Sequence, residues 1–142
     1  MFTTEDEIRR IADGVLARTL PKAEWTHAAH FAAALWLMRH RPDLDLARAM
    51  PGIIRAYNEA TGVANTDSGG YHQTITLASL RAARAELTRH GAEAPLHQVL
   101  DAVLASPLGK SSWLLEYWSE KLLMSPGARR EWREPDLKPL PF

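Results

Sequence analysis

Three histidines are the residues of this chain whose type and spacing suggest chemistry. His27 and His30 lie in the segment WTHAAH, and His72 follows a polar, glycine-bearing loop. Residues three apart on an α-helix point about 60° from each other, so the imidazoles of His27 and His30 can reach one ion. His72, at the start of a later helix, would supply a third nitrogen. The pattern predicts a metal site, and imidazole ligands suit zinc, iron or nickel.

A site of three histidines and one water would leave a divalent metal with an open position for chemistry. Such a metal lowers the pKa of its bound water to about 7, which supplies hydroxide at neutral pH. The expected function is then metal-dependent hydrolysis, or a related conversion, of a small molecule. Six further residues near the histidines are expected to contact the ligand or to orient the metal ligands. These are Trp25, Asn65, Asp67, Tyr71, Gln73 and Thr76.

Two other interpretations of the same histidines stay open, because H-x-x-H is far less specific than H-E-x-x-H. The first is a metal-free pocket that binds a small polar or anionic ligand, with histidine and loop N–H groups as hydrogen-bond donors. The second is a structural or interaction protein, a homodimer for example, in which internal hydrogen bonds satisfy the histidines.

The composition is that of an ordinary globular protein and excludes several classes of function. The 142 residues are 46% hydrophobic, and 17 Lys and Arg balance 17 Asp and Glu. A neutral chain offers no bulk field for nucleic acid or anionic lipid. The absence of cysteine removes disulfides, thiolate metal sites and cysteine nucleophiles. No apolar run reaches the roughly 18 residues of a membrane helix, and no signal peptide is visible, so we expect a cytoplasmic protein.

The helix that carries His27 and His30 is predicted to lie at the centre of the fold. Thr26 is a suitable N-cap, and within 28–38 only His30 is not apolar. A helix that is apolar on all sides is buried on all sides. We therefore expect the helix at 26–40 to be surrounded by the others.

Helical periodicity recurs along the rest of the chain, and no strand pattern competes with it. A helix at 4–18 begins with a capping box of Thr4 and Glu7. A third helix runs from 46 until Gly62 ends it, and Pro51 either starts or kinks it. The remaining helices are predicted at 71–90, 95–104 and 111–123, with a further helical turn at 125–132. The chain is thus predicted to be one all-α domain, 1–142, a compact bundle of about six helices around the central one, with an extended proline-rich C-terminal tail.

The loop GVANTDSGG, at 62–70, is predicted to cover the mouth of a site between the second and fourth helices. Its nine residues exceed the usual connection of about four to six. Longer ordered loops often carry function, since a rigid scaffold can position their side chains.

Three segments resemble a family of small helical bacterial proteins with no established chemistry. They are WTHAAH, YNEATGVANTDSGGYHQTIT and PDLKPLP, and the likeness runs from about residue 20 to the tail. The motif residues that the resemblance implies are His27, His30, His72, Tyr71 and Thr76. The family motif at this last histidine reads G-Y-H-E-T, and this chain has Gln73 in place of the glutamate. The resemblance therefore implies no acid–base role at Gln73.

Overall fold

Five long α-helices and two short ones account for most of residues 2–142, the part of the chain that this computed structural model describes. The long helices are α1 (Glu5–Leu16), α2 (His27–His40), α3 (Leu46–Ala60), α4 (Gln73–His90) and α5 (Leu96–Ala105). The short ones are α6 (Glu120–Leu123) and α7 (Pro126–Arg130), and 3₁₀ segments lie at Lys22–Glu24, Pro107–Gly109 and Ser111–Glu116. Residues 2–142 contain no strand, and the predicted all-α, compact bundle is confirmed.

Helix α2 lies at the centre of this bundle, as its apolar sequence predicts. It packs against α1, α4 and α5. Most of its side chains between Ala29 and Met38 are buried, and its alanines allow the close approach of neighbouring helices. The Thr26 hydroxyl caps its N-terminus by accepting from the Ala29 N–H at 3.2 Å.

Helix α3 accommodates Pro51 in its interior and begins at Leu46, with Asp45 at its N-cap. The helix is therefore one element on both sides of the proline. It ends before Gly62, whose φ of 81° lies in the left-handed region and turns the chain into the loop at 62–70.

The predicted sixth helix at 111–123 is wrong in form, because the structure divides it into a 3₁₀ segment and α6. Tertiary bonds to the C-terminal tail hold the backbone between the two. The buried indole N–H of Trp118 donates to Arg133 O at 2.9 Å, and the Ser119 N–H donates to the Asp136 carboxylate at 2.7 Å. The Ser119 hydroxyl then accepts from the Leu122 N–H and so begins a new helix.

The C-terminal tail contacts the bundle at several points without forming a helix or strand of its own. The Leu137 N–H donates to Tyr117 O at 2.9 Å, while the Leu137 side chain stays 57% exposed. Leu140 and Phe142 pack against the hydrophobic core. Among residues 2–142, every helix is too short or too polar to cross a membrane.

Candidate functional site

His72 is a helix cap whose two ring nitrogens are both engaged. Its Nδ1 accepts from the Ile75 N–H at 3.1 Å, which satisfies one free N–H of the first turn of α4. Its Nε2 donates to Leu123 O at 2.7 Å, so the ring ties α4 to α6. The side chain is buried, and burial lowers the pKa of His72 because the charged form is desolvated. A neutral ring bound in this way has no lone pair left for a metal.

His27 and His30 lie in the first turn or so of α2, and each uses one ring nitrogen to donate to a backbone carbonyl. His27 Nε2 donates to Leu108 O at 2.7 Å, which connects α2 to the 3₁₀ segment Pro107–Gly109. His30 Nδ1 donates to Thr26 O, one turn earlier in the chain, also at 2.7 Å. The Trp25 indole stacks on the His30 ring with centroids 3.8 Å apart. Trp25 therefore lies directly beside His30. Its predicted role in ligand binding stays a prediction.

The predicted three-histidine metal site finds no support in this arrangement. Within residues 2–142, no group of three or more His, Cys, Asp or Glu side chains could hold a metal ion. The physical reason is that both ring nitrogens of His72 form hydrogen bonds with backbone groups, while His27 is hydrogen-bonded to Leu108 O in a different part of the chain. Binding of zinc, iron or nickel by these histidines therefore stays a prediction.

A pocket of about 330 Å³ lies between α2, α3, α4 and the 3₁₀ segment Ser111–Glu116, and we call it the apolar pocket. His27 and His30 line it, together with the hydroxyl-bearing residues Thr76, Ser79 and Ser111. The rest of its wall is mainly aliphatic and aromatic. Its larger apolar members are Phe31, Met50, Ile54, Leu80, Trp113 and Leu114.

A second pocket, which we call the loop pocket, adjoins the first and has a volume of about 430 Å³. It lies beneath the loop at 62–70 and is more polar, with Asn58, Tyr71, His72 and Arg129 in its wall. The two pockets share five residues and so form neighbouring chambers of one cleft. The shared residues are Trp25, His30, Ile54, Ile75 and Thr76.

Asn65 holds the loop at 62–70 in place above the loop pocket. Its Oδ1 accepts from Asn58 Nδ2 and from the Tyr71 N–H, both at 3.0 Å, and its amide donates to Arg55 O. Gly70 permits this close packing, because a Cβ at that position would lie 2.4 Å from Ala64 O. Asn65 therefore shapes the site through the loop backbone.

Asp67 does not reach the pockets, because its carboxylate forms an exposed, bidentate ion pair with Arg130. That hydrogen bond from Arg130 lowers the pKa of Asp67. The Tyr71 hydroxyl donates to Gln73 Oε1, so Gln73 acts on the loop pocket through Tyr71. Burial raises the pKa of Tyr71, and this hydroxyl stays protonated.

His30 is the titratable residue among the five that the two chambers share. His30 as a residue is exposed, yet the protein atoms around its ring lower its pKa by desolvation. The positive charge of a protonated His27 acts in the same direction. At neutral pH the His30 ring is therefore neutral, with its proton on Nδ1 and its lone pair on Nε2.

Arg129 and Trp113 are site residues that the sequence patterns do not indicate. The segment ARREWREP is locally basic, with two glutamates that offset most of its charge, and its pattern is typical of a solvated surface. Arg129 is nevertheless half-buried in the loop pocket. Trp113 is 6% exposed in the wall of the apolar pocket, and its buried indole N–H has no acceptor within residues 2–142. Both positions depend on how the C-terminal third folds back, for which the sequence carries no local signal.

Comparison of the chain with protein-family models, curated proteins and solved structures found no match. The resemblance to a helical bacterial family therefore stays a prediction. The cytoplasmic location and the homodimer stay predictions as well.

Proposed function

We propose that this protein binds a small, largely apolar molecule in the apolar pocket, and that His30 Nε2 accepts a hydrogen bond from it. One observation carries the proposal. His30 Nδ1 is satisfied by Thr26 O, while Nε2 has no partner in the described chain and the residue lines the apolar pocket. A neutral imidazole fixed in this way offers one directed acceptor in surroundings that are otherwise apolar.

The size of the apolar pocket supports a ligand of one or two rings. Its volume of about 330 Å³ lies near the lower end of the roughly 300–1,000 Å³ of small-molecule sites. A dry cavity of about 150 Å³ already binds benzene. A small aromatic or short aliphatic molecule would therefore fill the pocket and displace its water.

The neutral state of His30 selects ligands that bring a hydrogen-bond donor to the pocket. Because desolvation lowers the pKa of His30, the ring is an acceptor at pH 7 and above. A phenol, alcohol or indole N–H would satisfy Nε2, whereas the matched ether would leave it unpaired. A hydrogen bond between neutral groups contributes about 0.5–1.5 kcal/mol, so this preference is expected to be about 3- to 10-fold in affinity.

The test compares 4-ethylphenol with 4-ethylanisole, its methyl ether, by ligand-observed NMR and calorimetry at pH 7.5. The wild type is expected to bind the phenol about 3- to 10-fold more tightly than the ether. In His30→Ala this preference is expected to vanish, whatever the added space does to the absolute affinities. Binding of neither compound, or the same preference without the imidazole, would overturn the proposal.

His40→Ala is the matched control, because His40 also lies on α2 and stacks on a tryptophan. Its ring centroid is 3.8 Å from that of Trp36, with an interplanar angle of 29°, against 27° for Trp25 and His30. His40 lines neither chamber. The control is therefore expected to keep the wild-type preference for the phenol.

A further inference from the structure

We infer that the ligand is an amphipathic carboxylate, whose apolar body occupies the apolar pocket and whose carboxylate binds Arg129 in the loop pocket. This inference rests on the proposed function, since it assigns the class of the ligand that the apolar pocket takes. It adds a second binding site, for an anion, to the acceptor supplied by His30.

The state of Arg129 is the first support. Its Nη1 donates to Gly70 O at 3.1 Å and to Tyr71 O at 3.3 Å. Its Nε is buried with no acceptor in residues 2–142, and both of its hydrogen bonds in those residues come from Nη1. A half-buried cation whose donors the protein leaves unfilled calls for an additional partner. Guanidinium groups bind carboxylates through paired N–H donors.

The charges around the loop pocket are the second support. No Asp or Glu lines this pocket. Arg130 pairs with Asp67 and Arg133 pairs with Glu131, whereas Arg129 forms no ion pair in the described part of the chain. A second cation, Arg55, lies over the Tyr71 ring at 4.8 Å from its centroid. The pocket therefore carries unbalanced positive charge next to an apolar chamber.

The adjacency of the two chambers is the third support, because it gives the order of groups along a bound molecule. The apolar pocket and the loop pocket share His30 and Thr76, and Arg129 lines only the loop pocket. A ligand that spans both would place an apolar group, a donor for His30 Nε2 and an anion in that order. An aromatic acid with a hydroxyl next to its carboxylate, such as 3-phenyllactate, has these three groups in this sequence.

The test measures binding of 3-phenyllactate and of its neutral amide, 3-phenyllactamide, to the full chain by calorimetry at pH 7.5. Both carry the ring and the hydroxyl, so they differ only in the group that Arg129 is inferred to bind, a carboxylate in one and a neutral amide in the other. The wild type is expected to bind the acid at least about tenfold more tightly than the amide. Raising the salt concentration is expected to weaken binding of the acid and to leave binding of the amide unchanged.

Three variants assign this preference to one side chain. Arg129→Gln is expected to bind acid and amide equally, and Arg129→Lys is expected to keep part of the preference because it keeps the charge. Arg84→Gln is the control, since Arg84 is exposed, forms no ion pair among residues 2–142 and lines a different groove. It is expected to behave as the wild type.

The outcomes separate this inference from the proposed function. Equal binding of acid and amide by the wild type would overturn the anion site, and this result does not depend on whether an Arg129 variant folds. Binding of 4-ethylphenol in the same protein would show that the apolar pocket still works. If neither the acid, the amide nor the phenol binds, the proposed function itself fails.

Discussion

Replacement of His72 by alanine is expected to destabilise the fold by about 1.5–5 kcal/mol. Loss of an N-cap acceptor costs about 0.5–2 kcal/mol, and here the lost bond is the one from the Ile75 N–H. The same change leaves the buried Leu123 O without a hydrogen-bond donor, which costs about 1–3 kcal/mol. Domains of this size are typically stable by about 5–15 kcal/mol, so the variant is expected to fold and to be measurable.

The matched control for this prediction is Thr26→Ala, which removes an N-cap on the exposed surface. Thr26 makes one cap bond, to the Ala29 N–H, so its loss is expected to cost about 1 kcal/mol. His72→Asn should lie between the two, because asparagine is an excellent N-cap residue but does not replace the ring bond to Leu123 O. The difference between the two alanine variants therefore isolates the buried hydrogen bond.

Urea unfolding at pH 7.5, followed by far-UV circular dichroism, measures all three variants if the m-value stays constant. If His72→Ala lowers the free energy of unfolding by no more than Thr26→Ala does, the structural role of the His72 ring is refuted. Mass spectrometry of untagged protein, purified without chelator, adds an independent check. Near-stoichiometric metal in the wild type that is lost in His72→Ala would restore the three-histidine metal site and refute the reasoning above.

Three further predictions concern the loop and the buried histidines. Gly70→Ala should destabilise by at least about 1 kcal/mol more than Gly62→Ala in urea unfolding: both glycines have positive φ, but only at Gly70 would a Cβ overlap a loop carbonyl. Asn65→Ala is expected to lower the free energy of unfolding by about 2–3 kcal/mol, because three hydrogen bonds are lost. Amide hydrogen exchange across 62–70 should also become faster, and an unchanged exchange rate would contradict this prediction. The free energy of unfolding should fall as the pH drops below 6.5, the ordinary pKa of histidine in an unfolded chain. The reason is that His30 and His72 have lower pKa values in the folded state, so the unfolded chain binds more protons. Urea unfolding between pH 8 and pH 5 tests this, and the stability of His72→Asn should depend less steeply on pH.

The helical framework follows from local signals and was therefore predictable from the sequence. The apolar run at 28–38 predicts a buried central helix, and α2 is that helix. The caps at Thr4, Thr26 and Ser125 each depend on a hydroxyl three residues before the N–H that it binds, a distance that a short motif contains. Predictions of this kind need no knowledge of the tertiary fold.

The C-terminal third was harder to predict, because contacts distant in sequence decide its form. The periodicity at 111–123 is typical of one helix, yet the tail competes for the backbone around Ser119 through Asp136. Arg129 enters the loop pocket only because α7 packs against α4. The segment at 128–135 has three arginines and two glutamates, but this count does not indicate which arginine lacks a carboxylate partner.

The three histidines illustrate why the spacing of residues predicts proximity better than chemistry. An imidazole can fill a metal site, but it can also donate one proton and accept another, which makes it equally able to satisfy backbone groups. His27 and His72 bind carbonyls 81 and 51 residues away, and such bonds depend on the tertiary fold. His30 binds the carbonyl four residues before it, a bond that belongs to the helix itself. Because this local bond fixes the proton on Nδ1, a histidine four residues after an N-cap keeps Nε2 as an acceptor, and in α2 that acceptor opens into a cleft. The structure therefore favours a different hypothesis from three histidines around a metal. In this hypothesis His30 Nε2 accepts a hydrogen bond from an organic acid and the unpaired Arg129 binds its carboxylate.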